Sequence, residues 1–103
     1  MLYRQGDIFI ESVPSIPPGA AKQPDLVLAE GEATGHRHRV DDSCCSADLF
    51  AHQGQLYLSV LTDEAMVIHD EHDTIVLTRG KYRIWRQREY DPNVRKMRRV
   101  VFD

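Results

Sequence analysis

Four of the five histidines fall in two short groups, His36-Arg37-His38 and His69-Asp70-Glu71-His72. Both groups lie in or beside segments whose composition is typical of β-strands. Alternate residues of a strand face the same side, so His36 and His38 can direct two imidazoles to one point. A second group on a neighbouring strand would complete the donor set of a divalent transition metal such as Zn, Fe, Mn or Ni. The sequence therefore predicts a metal site built from both groups.

The sequence does not decide which residues of the second group would bind the metal. His69 and His72 are three residues apart, so they cannot share one face of a flat strand, but they converge if His69 ends a strand and a turn follows. If the strand continues, Glu71 shares the face of His69 instead. The predicted metal ligands are therefore His36, His38, His69, His72 and Glu71, with Glu71 and His72 as alternatives for the fourth position. His52 is the reserve candidate, and Asp42 ranks behind it. The competing interpretation is a His-x-His pair exposed on a solvated strand face.

The C-terminal part of the chain favours a different class of function. Residues 80–103 carry eight Lys or Arg and three acidic residues, although the whole chain has a net charge of −3. Tyr82, Trp85 and Tyr90 interleave with these cations, and aromatic faces beside guanidinium groups suit stacking on unpaired bases or binding phosphates. The alternative function is thus a non-catalytic binding module whose Arg-rich C-terminal strand contacts nucleic acid or an acidic partner. A strand with one core face, holding Ile84 or Trp85, and one charged face explains the same pattern.

Length and composition indicate one domain spanning residues 1–103. The chain is 42% hydrophobic and 28% charged, which is ordinary for a globular protein. No apolar run approaches the roughly 20 residues of a membrane span, and the first residues do not resemble a signal peptide. Cys44 and Cys45 are adjacent and poorly placed for a structural disulfide, so free thiols are expected. These observations predict a cytoplasmic location and no membrane association.

Short strands bounded by turn residues dominate the pattern, and no helical period extends beyond about ten residues. Strands are predicted at 7–13, 25–30, 36–40, 48–52, 55–61, 65–68, 74–77 and 81–90, with a turn at 78–80. Residues 94–103 form either a closing strand or a short helix leading into one. This spacing predicts an all-β fold, a small single-domain barrel or sandwich. Because exposed strand edges pair readily, a homodimer is expected.

Three stretches carry a resemblance that covers most of the chain. They are Tyr3-Arg4-Gln5-Gly6-Asp7, then Ala29-Glu30-Gly31-Glu32-Ala33-Thr34-Gly35-His36-Arg37-His38-Arg39, then Gln87-Arg88-Glu89-Tyr90-Asp91-Pro92. Together they resemble the pattern RQGD…GEATGHRHR…QREYDP of small uncharacterised bacterial and phage-type proteins. This resemblance implies no particular activity.

The histidine arrangement also resembles that of cupins, small β-barrels in which a His-x-His pair, a carboxylate and a later histidine hold a metal. By this resemblance His36 and His38 match the pair, Asp42 stands for the carboxylate, and His69 or His72 is the later histidine. The glycine and proline positions of the cupin motifs are not reproduced: Gly31 is one residue from the expected place. The resemblance implies a cupin-like barrel whose metal acts on a small-molecule ligand, as a Lewis acid or by activating bound water.

Overall fold

The computed structural model describes residues 1–30, 36–41 and 46–86, together with the backbone of 100–102. Every regular element in these ranges is a strand, which confirms the predicted all-β fold. The strands are β1 (Leu2–Gln5), β2 (Ile8–Val13), β3 (Ala21–Lys22), β4 (Val27–Glu30), β5 (Arg37–Val40), β6 (Ala47–His52), β7 (Gln55–Ile68), β8 (Ile75–Arg86) and β9 (Val100–Phe102).

The nine strands form one sheet that curls into a half-barrel. The order along the sheet is β3-β6-β7-β8-β2-β1-β9, and β5 pairs with β7 on one side and β4 on the other. The β1–β9 pair is parallel, whereas the other strand pairs are antiparallel. The curl brings the β1–β2 turn towards the end of β7, where the histidine groups lie.

Strand β7 changes its neighbour along its length. From Gln55 to Val60 it pairs with β6, whereas near its end Val67 pairs with β5. On its other side it pairs with β8 throughout, with a register shift between Val60 and Glu64. Such irregularities increase the local twist and bend the strand. As a result, the end of β7 delivers the second histidine group beside the first.

The concave face of the half-barrel holds the main core. Register partners such as Ile10 and Ile84 lie on the same face, and both are buried. The largest fully buried apolar side chains are Ile8, Ile10, Leu49, Leu58, Leu77, Val40 and Val67. A smaller buried cluster of Leu2, Phe9 and Trp85 is separate from this core. Because successive residues of a strand face opposite sides, Phe9 lies on the side opposite Ile8 and Ile10.

Two of the predicted boundaries are wrong, and two strands, β1 and β3, are missing from the prediction. The predicted turn at 78–80 lies inside β8, where Gly80 pairs with Val60 beside the register shift and adopts φ +151°. Residues 55–61 and 65–68 belong to one strand, β7, rather than two. Strand β1 has only four residues, two of them apolar, and β3 has only two residues, so neither is long enough to be recognised from its local pattern.

Candidate metal centre

The four clustered histidine rings lie together at one end of the half-barrel. The ring centroids are 4.3 Å apart for His38 and His69, 4.9 Å for His69 and His72, 5.7 Å for His36 and His69, and 6.1 Å for His38 and His72. Within the described ranges, no ring contact connects His52 to this cluster, and it pairs with Gln55 at the β6–β7 hairpin. The two separated groups therefore share one location.

The alternation of β5 sends His38 inwards. His38 and Val40 are buried, whereas Arg37 and Arg39 are exposed, as the period of two in a strand predicts. Only 4% of the His38 surface remains accessible. The interpretation of a solvated histidine face is thus wrong for His38, because its ring is packed between β1 and the end of β7.

The β1–β2 turn closes over these rings. Gly6 has φ +57°, in the left-handed region that favours glycine. A Cβ atom at this position would lie 2.6 Å from Nε2 of His72 and 3.2 Å from Cε1 of His38. The turn therefore needs a glycine for its backbone conformation and also for the space that the two rings occupy.

Gln5 is a fully buried polar side chain that links three parts of the site. Its Nε2 donates hydrogen bonds to the carbonyl oxygens of Val67, at 3.0 Å, and Asp73, at 2.8 Å. These two acceptors fix the orientation of the amide, because the reverse orientation would place its oxygen against two carbonyl oxygens. The Gln5 Oε1 atom then lies 2.9 Å from Nδ1 of His38 and must accept its proton.

This hydrogen bond determines the tautomer of His38. Because Nδ1 carries the proton, the neutral ring has a lone pair on Nε2. The Nε2 atom lies 3.2 Å from Oδ1 of Asp7. Two electron-rich atoms therefore face each other in the neutral form of the ring, and a cation between them would satisfy both.

The environment of His38 favours its neutral form at neutral pH. Burial, together with the neighbouring His69 and His72, lowers the pKa of His38 to about 4, although Asp7 acts in the opposite direction. A neutral imidazole is the form that binds a metal ion.

His36 repeats part of this arrangement with carboxylates from the second group. Its Nδ1 lies 2.5 Å from Oε1 of Glu71 and its Nε2 lies 3.7 Å from Oδ2 of Asp70. An acceptor on Nδ1 leaves Nε2 as the ligating nitrogen of a neutral ring. Glu71 thus contacts His36 through its carboxylate, and does so at the exposed side of the cluster.

His69 has the opposite proton arrangement. Its Nδ1 accepts a hydrogen bond from the backbone N–H of Glu71 at 3.0 Å. In the neutral ring the proton is therefore on Nε2. His69 becomes an Nε2 ligand only if its tautomer changes and the Glu71 hydrogen bond is lost.

The site contains two residues that the metal prediction missed, Gln5 and Asp7. Both lie in the first stretch of the sequence pattern, on either side of Gly6, but nothing in local periodicity connects them with His38 more than thirty residues away. Across the described parts of the chain, no three His, Cys, Asp or Glu side chains already form a complete metal-binding group. Asp7 and His38 supply two donors that face each other.

Several predicted features lie outside the described residues. They are Asp42, the Cys44–Cys45 pair, and the C-terminal residues Tyr90, Arg95, Lys96, Arg98 and Arg99. In the described part of the basic strand, Tyr82 is 4% and Trp85 6% exposed, and Trp85 stacks on Phe9 with ring centroids 5.5 Å apart. These two rings offer no open face to a base, so the nucleic-acid alternative stays a prediction that rests on the C-terminal residues.

One family matches the sequence over most of its length. The DUF8820 family, a domain of unknown function, matches residues 4–87. The chain belongs to the DUF8820 family. The matched range contains Gln5, Asp7 and both histidine groups, so the whole candidate site lies inside the DUF8820 domain. No curated protein and no solved structure matches the chain. The described part of this DUF8820 protein contains no helix that is long and apolar enough to cross a membrane.

Proposed function

We propose that this DUF8820 protein binds one divalent transition metal between Nε2 of His38 and Oδ1 of Asp7. The observation that carries the proposal is the 3.2 Å separation of these two atoms, with the His38 proton held on the opposite nitrogen by Gln5. A histidine whose other nitrogen donates to a fixed acceptor is the usual form of a metal-binding histidine.

The distance between the two donors fits a metal ion. Zinc binds imidazole nitrogen and carboxylate oxygen at about 2.0–2.2 Å, so two such ligands at a tetrahedral angle are about 3.3 Å apart. The Asp7–His38 distance of 3.2 Å agrees with this value. Nitrogen and oxygen donors suit Zn, Fe, Mn and Ni, and the proposal covers these four metals.

His72 is the third ligand in this proposal. Its Nε2 lies against the β1–β2 turn, 2.6 Å from the position that a Cβ on Gly6 would take. Gly6 is the residue before Asp7 in the chain, so the ring of His72 is at the same turn as the Asp7 carboxylate. His69 is less suited, because its Nδ1 accepts the Glu71 N–H. Glu71 is engaged by His36. We therefore assign His69 and His36, with Glu71, to the surroundings of the metal and its open side.

The chemistry that such a metal supplies is Lewis acidity and a bound water of lowered pKa. A mixed nitrogen and carboxylate donor set with an open position is typical of catalytic sites. The function that follows is a cupin-like metal-binding domain acting on a small molecule. Its residues would orient that molecule beside the metal and shield it from bulk water.

The proposal is tested by elemental analysis and thermal unfolding of protein purified without an affinity tag. We expect close to one metal per chain, and a higher melting temperature when Zn, Mn, Fe or Ni is added to the metal-free protein. His38→Ala should lose both effects, whereas the matched change His52→Ala should keep them. Less than about 0.1 metal per chain without any stabilisation, or full binding by His38→Ala, would overturn the proposal.

We also propose a cytoplasmic location and a homodimer. The location is supported by the adjacent Cys44 and Cys45, which are unsuited to the disulfides of oxidising compartments. The dimer is supported by the four-residue strand β4, which among the described residues pairs with β5 on one side and leaves its other edge open to a second copy. Light scattering coupled to size-exclusion chromatography measures the oligomeric state, and a monomer at high concentration would contradict the dimer.

A further inference from the structure

A second site lies next to the proposed metal centre but does not share its ligands. It is a pocket of about 110 Å³ whose lining includes Ile8, Leu28, Leu56, Ile84 and Arg86. Of the five apolar side chains in the lining, Ile8, Leu28 and Ile84 belong to the main core, Leu56 packs against it, and Trp85 belongs to the smaller buried cluster. At about 20–30 Å³ for each non-hydrogen atom, the pocket has room for roughly four to six of them.

The pocket is connected to the metal centre through two strands. Ile8 directly follows Asp7, and Leu28 directly precedes Ala29, which pairs with His38. The register of β4 against β5 shifts between Val27 and Ala29, and Leu28 and Ala29 are both buried. A shift of this kind turns an extra side chain inwards, which explains why Leu28 lines the pocket.

Arg86 brings a positive charge to this apolar pocket. It pairs with Ile8, so its side chain leaves the sheet on the same concave face. One of its terminal nitrogens, Nη2, donates to the backbone carbonyl of Glu30. Considering only the part of the chain that the structure describes, the ion pairs include no carboxylate for Arg86. A guanidinium has five N–H donors and suits a carboxylate in a two-bond arrangement.

We propose that this pocket binds a short-chain aliphatic monocarboxylate. The alkyl group packs against Ile8, Leu28 and Ile84, and the carboxylate accepts hydrogen bonds from the Arg86 guanidinium at the mouth. The volume selects an acid of about four to six non-hydrogen atoms, and the apolar wall disfavours a ligand with a second charge. The inference goes beyond the metal site and holds with or without metal.

The experiment is a titration of the full chain with butyrate in EDTA, followed by NMR signals of the Ile and Leu methyl groups. For so small a ligand we expect a dissociation constant on the order of 1–10 mM. The methyl signals of Ile8, Leu28 and Ile84 should shift and saturate. Butyramide has the same shape without the charge, and it should bind at least about tenfold more weakly. Equal binding of butyrate and butyramide, or no shifts at these methyl groups, would overturn the proposal.

Two variants test whether Arg86 supplies the positive charge that binds the carboxylate. Arg86→Gln keeps a donor for the Glu30 carbonyl but removes the cation, and it should weaken butyrate binding about tenfold or more. The matched change Arg79→Gln removes an exposed cation paired with Asp63 and should leave binding unchanged. Full butyrate affinity in Arg86→Gln contradicts the proposal.

A third variant tests the pocket with its charge intact, in case Arg86→Gln does not fold. Leu56→Phe fills the half-buried side of the pocket and should abolish the butyrate shifts. Full binding by Leu56→Phe contradicts the proposal. Metal content is measured on the same variants and should be unchanged in all three. The two proposals can therefore be refuted separately. Because butyrate binding is measured in EDTA, the metal content of His38→Ala has no bearing on it.

Discussion

Oε1 of Gln5 accepts a hydrogen bond from Nδ1 of His38 at 2.9 Å, and this contact joins β1 to β5 inside the protein. The same amide donates to the backbone carbonyls of Val67 and Asp73. One buried side chain therefore fixes the protonated nitrogen of the histidine and also holds the end of β7 against the segment that precedes β8.

Gln5→Leu should lower both stability and metal affinity. The change leaves two carbonyl oxygens and the His38 N–H without their partner in a buried place, so the free energy of unfolding should fall by about 2–4 kcal/mol. Metal affinity should fall by about 10–100-fold, because the orientation of His38 is lost. Urea unfolding and metal titration measure the two effects. Gln23→Leu, in a loop where the amide donates to the Ala21 carbonyl at an exposed position, should change stability by less than about 0.5 kcal/mol.

Asp7→Asn should separate metal binding from stability. In the metal-free protein the new amide can donate a hydrogen bond to the lone pair on Nε2 of His38, so the melting temperature should stay the same or rise. Metal affinity should fall at least about tenfold, since a charged ligand is replaced by a neutral one. Asp63→Asn changes an almost fully exposed carboxylate and should leave metal affinity unchanged. Undiminished metal affinity in Asp7→Asn would contradict the assignment of Asp7 as a ligand.

Gly6→Ala should displace His72 and damage the site. The new Cβ would stand 2.6 Å from Nε2 of His72, and φ at this position is +57°. We expect a loss of about 1–3 kcal/mol in the free energy of unfolding together with weaker metal binding. Gly19→Ala is the matched control: φ is +86° there, and nothing lies within 4 Å of the new Cβ. Gly19→Ala should therefore be destabilised by the backbone strain alone. Equal losses in the free energy of unfolding of the two variants would show that the contact with His72 is unimportant.

The stability of the metal-free protein should fall in mild acid. The folded-state pKa of His38 is lowered from 6.5 to about 4, chiefly by burial. The unfolded chain therefore takes up the proton first as the pH falls. The stabilising contribution of neutral His38 is fully present above about pH 6.5 and is lost progressively towards pH 4, with an upper limit of about 3 kcal/mol.

Urea unfolding in EDTA across this pH range measures the effect. His38→Gln, which cannot take up a proton, should have a flatter pH profile, whereas His52→Gln should follow the wild-type profile. A wild-type profile identical to that of His38→Gln would contradict the prediction.

Local patterns were sufficient for most of the strands and for the burial of His38. The alternation of Arg37, His38, Arg39 and Val40 is a property of adjacent residues, and burial follows it. The convergence of the two histidine groups could also be proposed from the sequence, since each group lies in or beside a predicted strand. The prediction failed at Gly80, which looks like a turn residue but lies inside β8, because an irregular pairing with β7 also uses glycine.

The partners of the histidines could not be predicted in this way. Gln5 and Asp7 reach His38 only after the sheet has curled, and no short-range periodicity records that curl. The proton arrangement of the rings depends on the same distant contacts: Gln5 acts on Nδ1 of His38, whereas a local backbone N–H acts on Nδ1 of His69. The sequence thus predicts which histidines lie together. It does not predict their tautomers, and the tautomers decide which of the rings could ligate a metal.

The hydrogen bonds of Gln5 span 62 residues to Val67 and 68 residues to Asp73. We expect contacts between such distant segments to form late in folding, because the entropy of closing a long loop opposes them until the intervening chain is ordered. The site therefore exists only once the first strand has docked on the rest of the domain. If a metal is held there, it should contribute little to the folding transition state, and it should slow unfolding without accelerating folding. Its main effect would then be on the lifetime of the native protein.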